Sequence, residues 1–187
     1  MGIESVTGVI SPPAQPREVG GSERWRAVEA QLGTQLPKDY GSFIDAFGTG
    51  TIDGFMMVFN PFSANRFVNL IERGRAELEA YVEVFQPPPN SPLLTSSTTN
   101  TKLPHPVYPF PGGLLPFAGT DNGEIFFWKT VGAPDQWTTV VYEARGPKYF
   151  EYPGGMTDLL GALLSRTITC SVLPASFPSS KPAFVPV

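Results

Sequence analysis

The chain has 187 residues, 41% of them hydrophobic and only 16% charged, against a usual charged share of about 25%. That is enough for one well-buried core, and it excludes disorder driven by charge repulsion. A formal charge of −4 and a pI near 5.0 argue against a nucleic-acid binder, which needs a basic face to replace counterions at phosphates.

The first twenty-one residues carry Pro12, Pro13 and Pro16 among small polar residues and are expected to form a flexible arm. They lack the basic start and apolar run of a secretory signal, and Val6 replaces the hydroxyl residue of a myristoylation site. Ser22 is a candidate N-cap. Trp25, Val28 and Leu32 follow at helical spacing, and Gly33 supplies a stop, which predicts a helix over 23–32. A second helix is predicted over 37–47, with Pro37 in its first turn and Tyr40, Phe43, Ile44 and Phe47 on one stripe. After Gly48 the period changes. Phe55–Phe59 is a continuous apolar run between Gly54 and Asn60-Pro61, as expected of a buried strand.

A third, longer helix is predicted over 66–85, where Phe67, Leu70, Ile71, Leu78, Tyr81, Val82 and Phe85 share a face. Between Gln86 and Gly112 lie eight prolines and a Ser/Thr tract. This reads as a long proline-rich loop, with mobility expected over Ser91–Lys102. Strands are predicted at Leu114–Ala118, Glu124–Lys129, Thr138–Tyr142 and Lys148–Tyr152, separated by good turn sequences. "MTDLLGALLSR" predicts a closing helix over 157–165. Residues 171–187 read as a proline-rich extended tail. The expectation is an α+β single domain over 22–170, with helices packed around a twisted, mainly antiparallel sheet.

The polar cluster Thr120, Asp121, Asn122 and Glu124 around Gly123 has the look of a carboxylate site. Asp-Asn-Gly between two apolar runs is, however, the strongest short hairpin signal. It lacks the alternating ligands and distal bidentate Glu of a calcium loop, and the separated carboxylates of a glycosidase. It reads as a turn. His105, the only histidine, sits between two prolines and reads as an exposed loop residue, since one His and one distant Cys do not make a metal site. Cys170 lacks basic neighbours and reads as a packed or idle thiol. A single cysteine suits a reducing compartment, and no stretch approaches the roughly 18 apolar residues of a membrane span. The expected location is cytoplasmic. Phosphate-binding and nucleophile-elbow motifs are missing from the sequence, so neither catalytic residues nor a cofactor nor a metal is expected.

The run "WRAVEAQLGTQLPKDYGSFIDAFGTGTIDG" resembles the SUKH superfamily, the group that joins Smi/Knr-type cell-wall regulators to bacterial immunity proteins. Trp25, Glu29, Leu32-Gly33, Leu36-Pro37, Asp39-Tyr40, Phe43, Gly48 and Gly50 carry the resemblance. "FNPF" at 59–62, "LLPFAGTDNGEIFFW" and "GMTDLLGALL" extend it to residues 22–166. Glu124 stands where Asp is common in the family, and the 86–112 loop is longer than usual for it.

The resemblance implies a non-enzymatic protein-binding domain, and in particular an immunity protein that neutralises a cognate polymorphic toxin by contact. A basic nuclease or deaminase domain would suit the acidic chain. A regulatory or scaffold module is the alternative, and a small-ligand binder or an enzyme using a cleft under the long loop is the third. Partner contacts are expected from exposed polar groups on turns and an aromatic anchor: Asp53, Asp121, Asn122, Glu124 and Trp128, although Trp128, like Trp137, also reads as a half-buried sheet residue.

Overall fold

A computed structural model describes residues 2–85, 105–144, 146 and 148–187. Helix α2 (Ser22–Leu32) starts with Gly21 rather than Ser22 at the cap position, without a side-chain cap. It ends where Gly33 turns left-handed, its N–H returning to Glu29 O at 2.9 Å. Helix α3 (Lys38–Phe47) buries the stripe expected of it: Tyr40, Phe43, Ile44 and Phe47. Gly48 stops this helix at φ 67°, and a Cβ there would lie 2.2 Å from Arg17 O. Only glycine meets both conditions.

The predicted third helix is shorter at its start. Asn69 Oδ1 accepts from the backbone N–H of Ile71 at 2.9 Å and of Glu72 at 3.2 Å, an N-cap that sets the first residue of α4 (Leu70–Phe85). Helix α5 (Met156–Leu164) closes the fold, burying Leu159, Leu160, Leu163 and Leu164. The α+β expectation is met by five helices and a seven-stranded antiparallel sheet among the described residues.

The strands are β1 (Gly50–Ile52), β2 (Met56–Val58), β3 (Leu114–Thr120), β4 (Ile125–Lys129), β5 (Thr138–Tyr142), β6 (Tyr149–Tyr152) and β7 (Phe184–Pro186). Their order across the sheet is β6-β5-β4-β3-β2-β1-β7. The central strands β3, β4 and β5 are buried on both faces. Against one face pack α1 (Glu4–Thr7), α2, α3 and α5, around Phe117, Phe126, Trp128 and Val141. Tyr81 of α4 covers the other, over Leu114, Ile125, Phe127, Val140 and Tyr142. Two-sided burial explains why β3 has seven consecutive buried residues and reads as an unbroken apolar run rather than an alternating one.

Two expectations are corrected. Residues 2–21 are not a loose arm. Val6 and Ile10 are buried, and α1 lies so close on α5 that a Cβ at Gly161 would sit 2.8 Å from Ser5 Cβ. The Ser5 hydroxyl donates to Thr157 O at 2.8 Å. Further on, Glu18 takes hydrogen bonds from the Thr49 hydroxyl at 2.6 Å and from Ala64 N–H at 2.9 Å. The prolines that suggested looseness only deny this segment regular structure.

The proline-rich tail runs through turns and bends and then adds a strand to the sheet. Phe184 pairs with Ile52 and Val185 with Thr51, and the Phe184 ring meets Phe47 at 5.0 Å. Pro186 is tolerated because β7 is an edge strand. Of the long loop, residues 86–104 lie outside the described residues, and with them the expectation of mobility over Ser91–Lys102.

Candidate protein-binding surface

Antiparallel pairing decides which turns share an end of the sheet. Met56 pairs with Thr120, and Ile125 with Tyr142. The β1–β2 turn at Asp53-Gly54, the β3–β4 turn at 121–123 and the β5–β6 turn after Tyr142 therefore crowd one rim. Asp121 N–H donates to Phe55 O at 3.0 Å and ties the first two turns together.

Two of the five expected contact residues are open on this rim: Asp121 and Asn122, both exposed at the hairpin tip. Gly123 behind them takes φ 96°, and its N–H returns to Thr120 O at 3.0 Å. The tip is thus presented on a fixed backbone.

The other three serve the fold. Asp53, itself at φ 56°, sits beside the tip with its carboxylate turned to the tail. Oδ2 accepts from Ser179 N–H at 2.8 Å, and Oδ1 accepts from Ala183 N–H at 2.9 Å and the Ser179 hydroxyl at 3.2 Å. Glu124 is buried; its carboxylate accepts from the Thr120 hydroxyl, while its own N–H donates to Thr120 Oγ1 at 3.1 Å. Trp128 has no exposed surface. Its ring lies 4.8 Å from Phe117, 5.0 Å from Tyr40 and 6.0 Å from Trp137. It is a core residue and not an anchor for a partner.

His105 corrects a second reading. It is buried on the α4 face of the sheet rather than exposed on a loop. Its Nδ1 lies 2.7 Å from Tyr142 Oη and its Nε2 2.7 Å from Glu151 Oε1, with Lys129 Nζ 3.4 Å from the same carboxylate oxygen. With a proton on Nε2 the ring donates to the Glu151 carboxylate, and the Tyr142 hydroxyl meets its Nδ1. The His105 hydrogen bond, opposed by burial and aided by Lys129, holds the Glu151 carboxyl below the usual range. Burial and the neighbouring Tyr81 push the Tyr142 hydroxyl far up, so it stays protonated. The cluster pins residues 105–108 to the sheet, beside the bridge between Val107 and Leu114.

Cys170 is buried, as a packed thiol would be, and burial raises its pKa. No group of three or more potential metal ligands occurs among the described residues. No described helix is long and apolar enough to cross a membrane.

The sequence reading overlooked Glu143, which follows β5 directly and lies on the same rim. Its signal was present: a carboxylate between an apolar strand and a Gly-Pro turn.

Fold and surface together define a non-modular α+β domain with a polar rim of tight turns, its reactive-looking residues tied into packing. The family model SUKH_6, described as SMI1-KNR4 cell-wall, matches residues 22–160, and the chain belongs to the SUKH superfamily. That family includes toxin immunity proteins and SMI1/KNR4 cell-wall proteins, and is generally non-enzymatic. Neither the comparison with curated proteins nor that with solved structures gives a match.

Proposed function

We propose that this protein is an immunity protein that neutralises a cognate polymorphic toxin by direct contact, without catalysis of its own. The observation that carries the reading is the family match over residues 22–160. The fixed hairpin tip with Asp121 and Asn122, on a chain of net charge −4, supports a basic partner such as a nuclease or deaminase domain. Complementary charge at a rim chiefly raises the association rate.

A regulatory or scaffold role is the second reading, favoured by the cell-wall description of the matching family. Co-purification with the product of the adjacent gene separates the two. A stoichiometric complex that silences a toxin encoded there supports immunity. An isolated gene, or a neighbouring toxin that stays active in saturating amounts of this protein, removes that reading.

A further inference from the structure

A cavity of about 80 Å³ opens on the rim beside the hairpin tip, between α4 and the β5–β6 turn. Its floor is Ile125, Phe127 and Tyr142, and α4 contributes Glu77, Ala80 and Tyr81 as a wall. It is well below the roughly 300 Å³ at which sites for drug-sized ligands begin. The space fits the end of one side chain.

The charge of that side chain follows from the lining. Two carboxylates, Glu77 and Glu143, reach the cavity, and its described lining includes neither lysine nor arginine. Glu77 is already paired, with Arg73 Nη2 at 2.5 Å. Glu143 is not: its Oε2 is buried and makes no hydrogen bond to any described residue. A carboxylate oxygen withdrawn from water without a donor is costly, and a cation brought to it recovers that cost. The ring-lined floor suits an apolar stem and a planar cationic head, through burial of methylenes and cation–π contact.

We infer that this cavity is the socket for one arginine side chain of the protein partner, with Glu143 as its counter-charge. The inference rests on the partner-binding reading above and specifies where on the rim the partner is anchored. Arginine is preferred to lysine because its flat guanidinium stacks on aromatic rings while donating in its plane. A filled socket next to the exposed Asp121–Asn122 tip has the layout of a binding hot spot, a desolvated anchor with a polar surround.

The test uses the whole chain and a simple probe, N-acetyl-arginine amide, with its uncharged ureido analogue N-acetyl-citrulline amide as control. Amide chemical shifts are followed by NMR during titration. Saturable shifts at Gly123, Ile125, Tyr142 and Glu143 are expected with the arginine probe, at an affinity on the order of millimolar. Citrulline should leave them unmoved. Glu143→Gln keeps the shape and should weaken the arginine probe about tenfold. Ala80→Phe, at an exposed helix position, should block the mouth and abolish binding with the fold intact. Absence of saturable shifts, equal binding of citrulline, or indifference to both substitutions overturns the socket. Toxin binding that persists in any of those cases shows that the socket fails while the immunity reading stands. Arginine binding without a toxin complex shows the reverse.

Discussion

Trp128 and Glu124 lie inside the protein, so their substitution acts on the fold before it acts on any partner. Trp128→Ala empties a fully buried site among three aromatic rings and should cost about 3–5 kcal/mol of stability. Denaturant unfolding with an unchanged slope measures this directly. Trp128→Phe should cost much less, because the indole Nε1 it removes has no hydrogen-bond partner among the described residues and its loss leaves nothing unpaired. At the hairpin the two carboxylates part company. Asp121→Lys alters exposed charge and should slow association with a basic partner and flatten its salt dependence, with the melting temperature little changed. Glu124→Lys forces a cation into the buried Thr120 contact and should lower the melting temperature markedly. Stopped-flow association and thermal unfolding on the same two variants distinguish the roles.

At the scale of the element, legibility followed length and period. Helices α2 and α3 showed in the sequence because a stripe and a glycine stop fall within each ten or eleven residues. The meander β3 to β6 showed because its turns are rich in Gly, Asp and Asn. Strands β1 and β7, three residues each, are too short to have a period, and the pairing that joins them, Thr51 with Val185, spans most of the sequence. Trp128 was misread for a related reason: with both sheet faces covered, Phe126, Phe127 and Trp128 are all inside, and alternation could not separate core from surface. His105 was misread because its burial depends on Tyr142 and Glu151, which are distant in sequence. Besides its ladder to β1 and the Phe184 contact with Phe47, the tail strand is tied down by one side chain, Asp53. Asp53→Ala removes three hydrogen bonds to Ser179 and Ala183 and should cost about 1–3 kcal/mol. Faster amide exchange at Val185 and Val187, with β3–β5 unaffected, is the expected result. Unchanged protection there would mean that the β1 ladder and Phe184 packing hold the strand without the Asp53 carboxylate.

For the molecule as a whole, the carboxyl groups set the response to acid. Glu18 is held below the usual range because the Thr49 and Ala64 hydrogen bonds outweigh its burial. Asp135 is held down by the Lys38 backbone N–H and ammonium, and Glu151 by His105. Each has a folded pKa below its unfolded one. The stability each contributes is complete above the ordinary carboxylate range, about pH 4 to 5, and is lost as pH falls through the depressed values. Glu77 works the other way: burial raises its pKa against the pull of Arg73, so protonation relieves a cost. With three groups against one, urea stability should fall steadily from pH 5 towards 3. Glu18→Gln should shrink that fall. Asp135 should contribute least, because its salt bridge to Lys38 is exposed and screened.

Beyond α5 the chain passes Cys170, the only cysteine, which is buried in the main core with Leu173 and Phe177 packed against that core nearby. The molecule therefore carries a built-in gauge of its own opening. A thiol reagent reaches Cys170 only when this region lifts, so the labelling rate relative to that in denaturant reads the free energy of opening at one atom. Set beside amide exchange at 183–187 in the Asp53→Ala protein, it tells whether the tail peels strand by strand or leaves as one body. Labelling as slow as in the parent chain, with the edge strand released, would mean that the cover over Cys170 stands on its own.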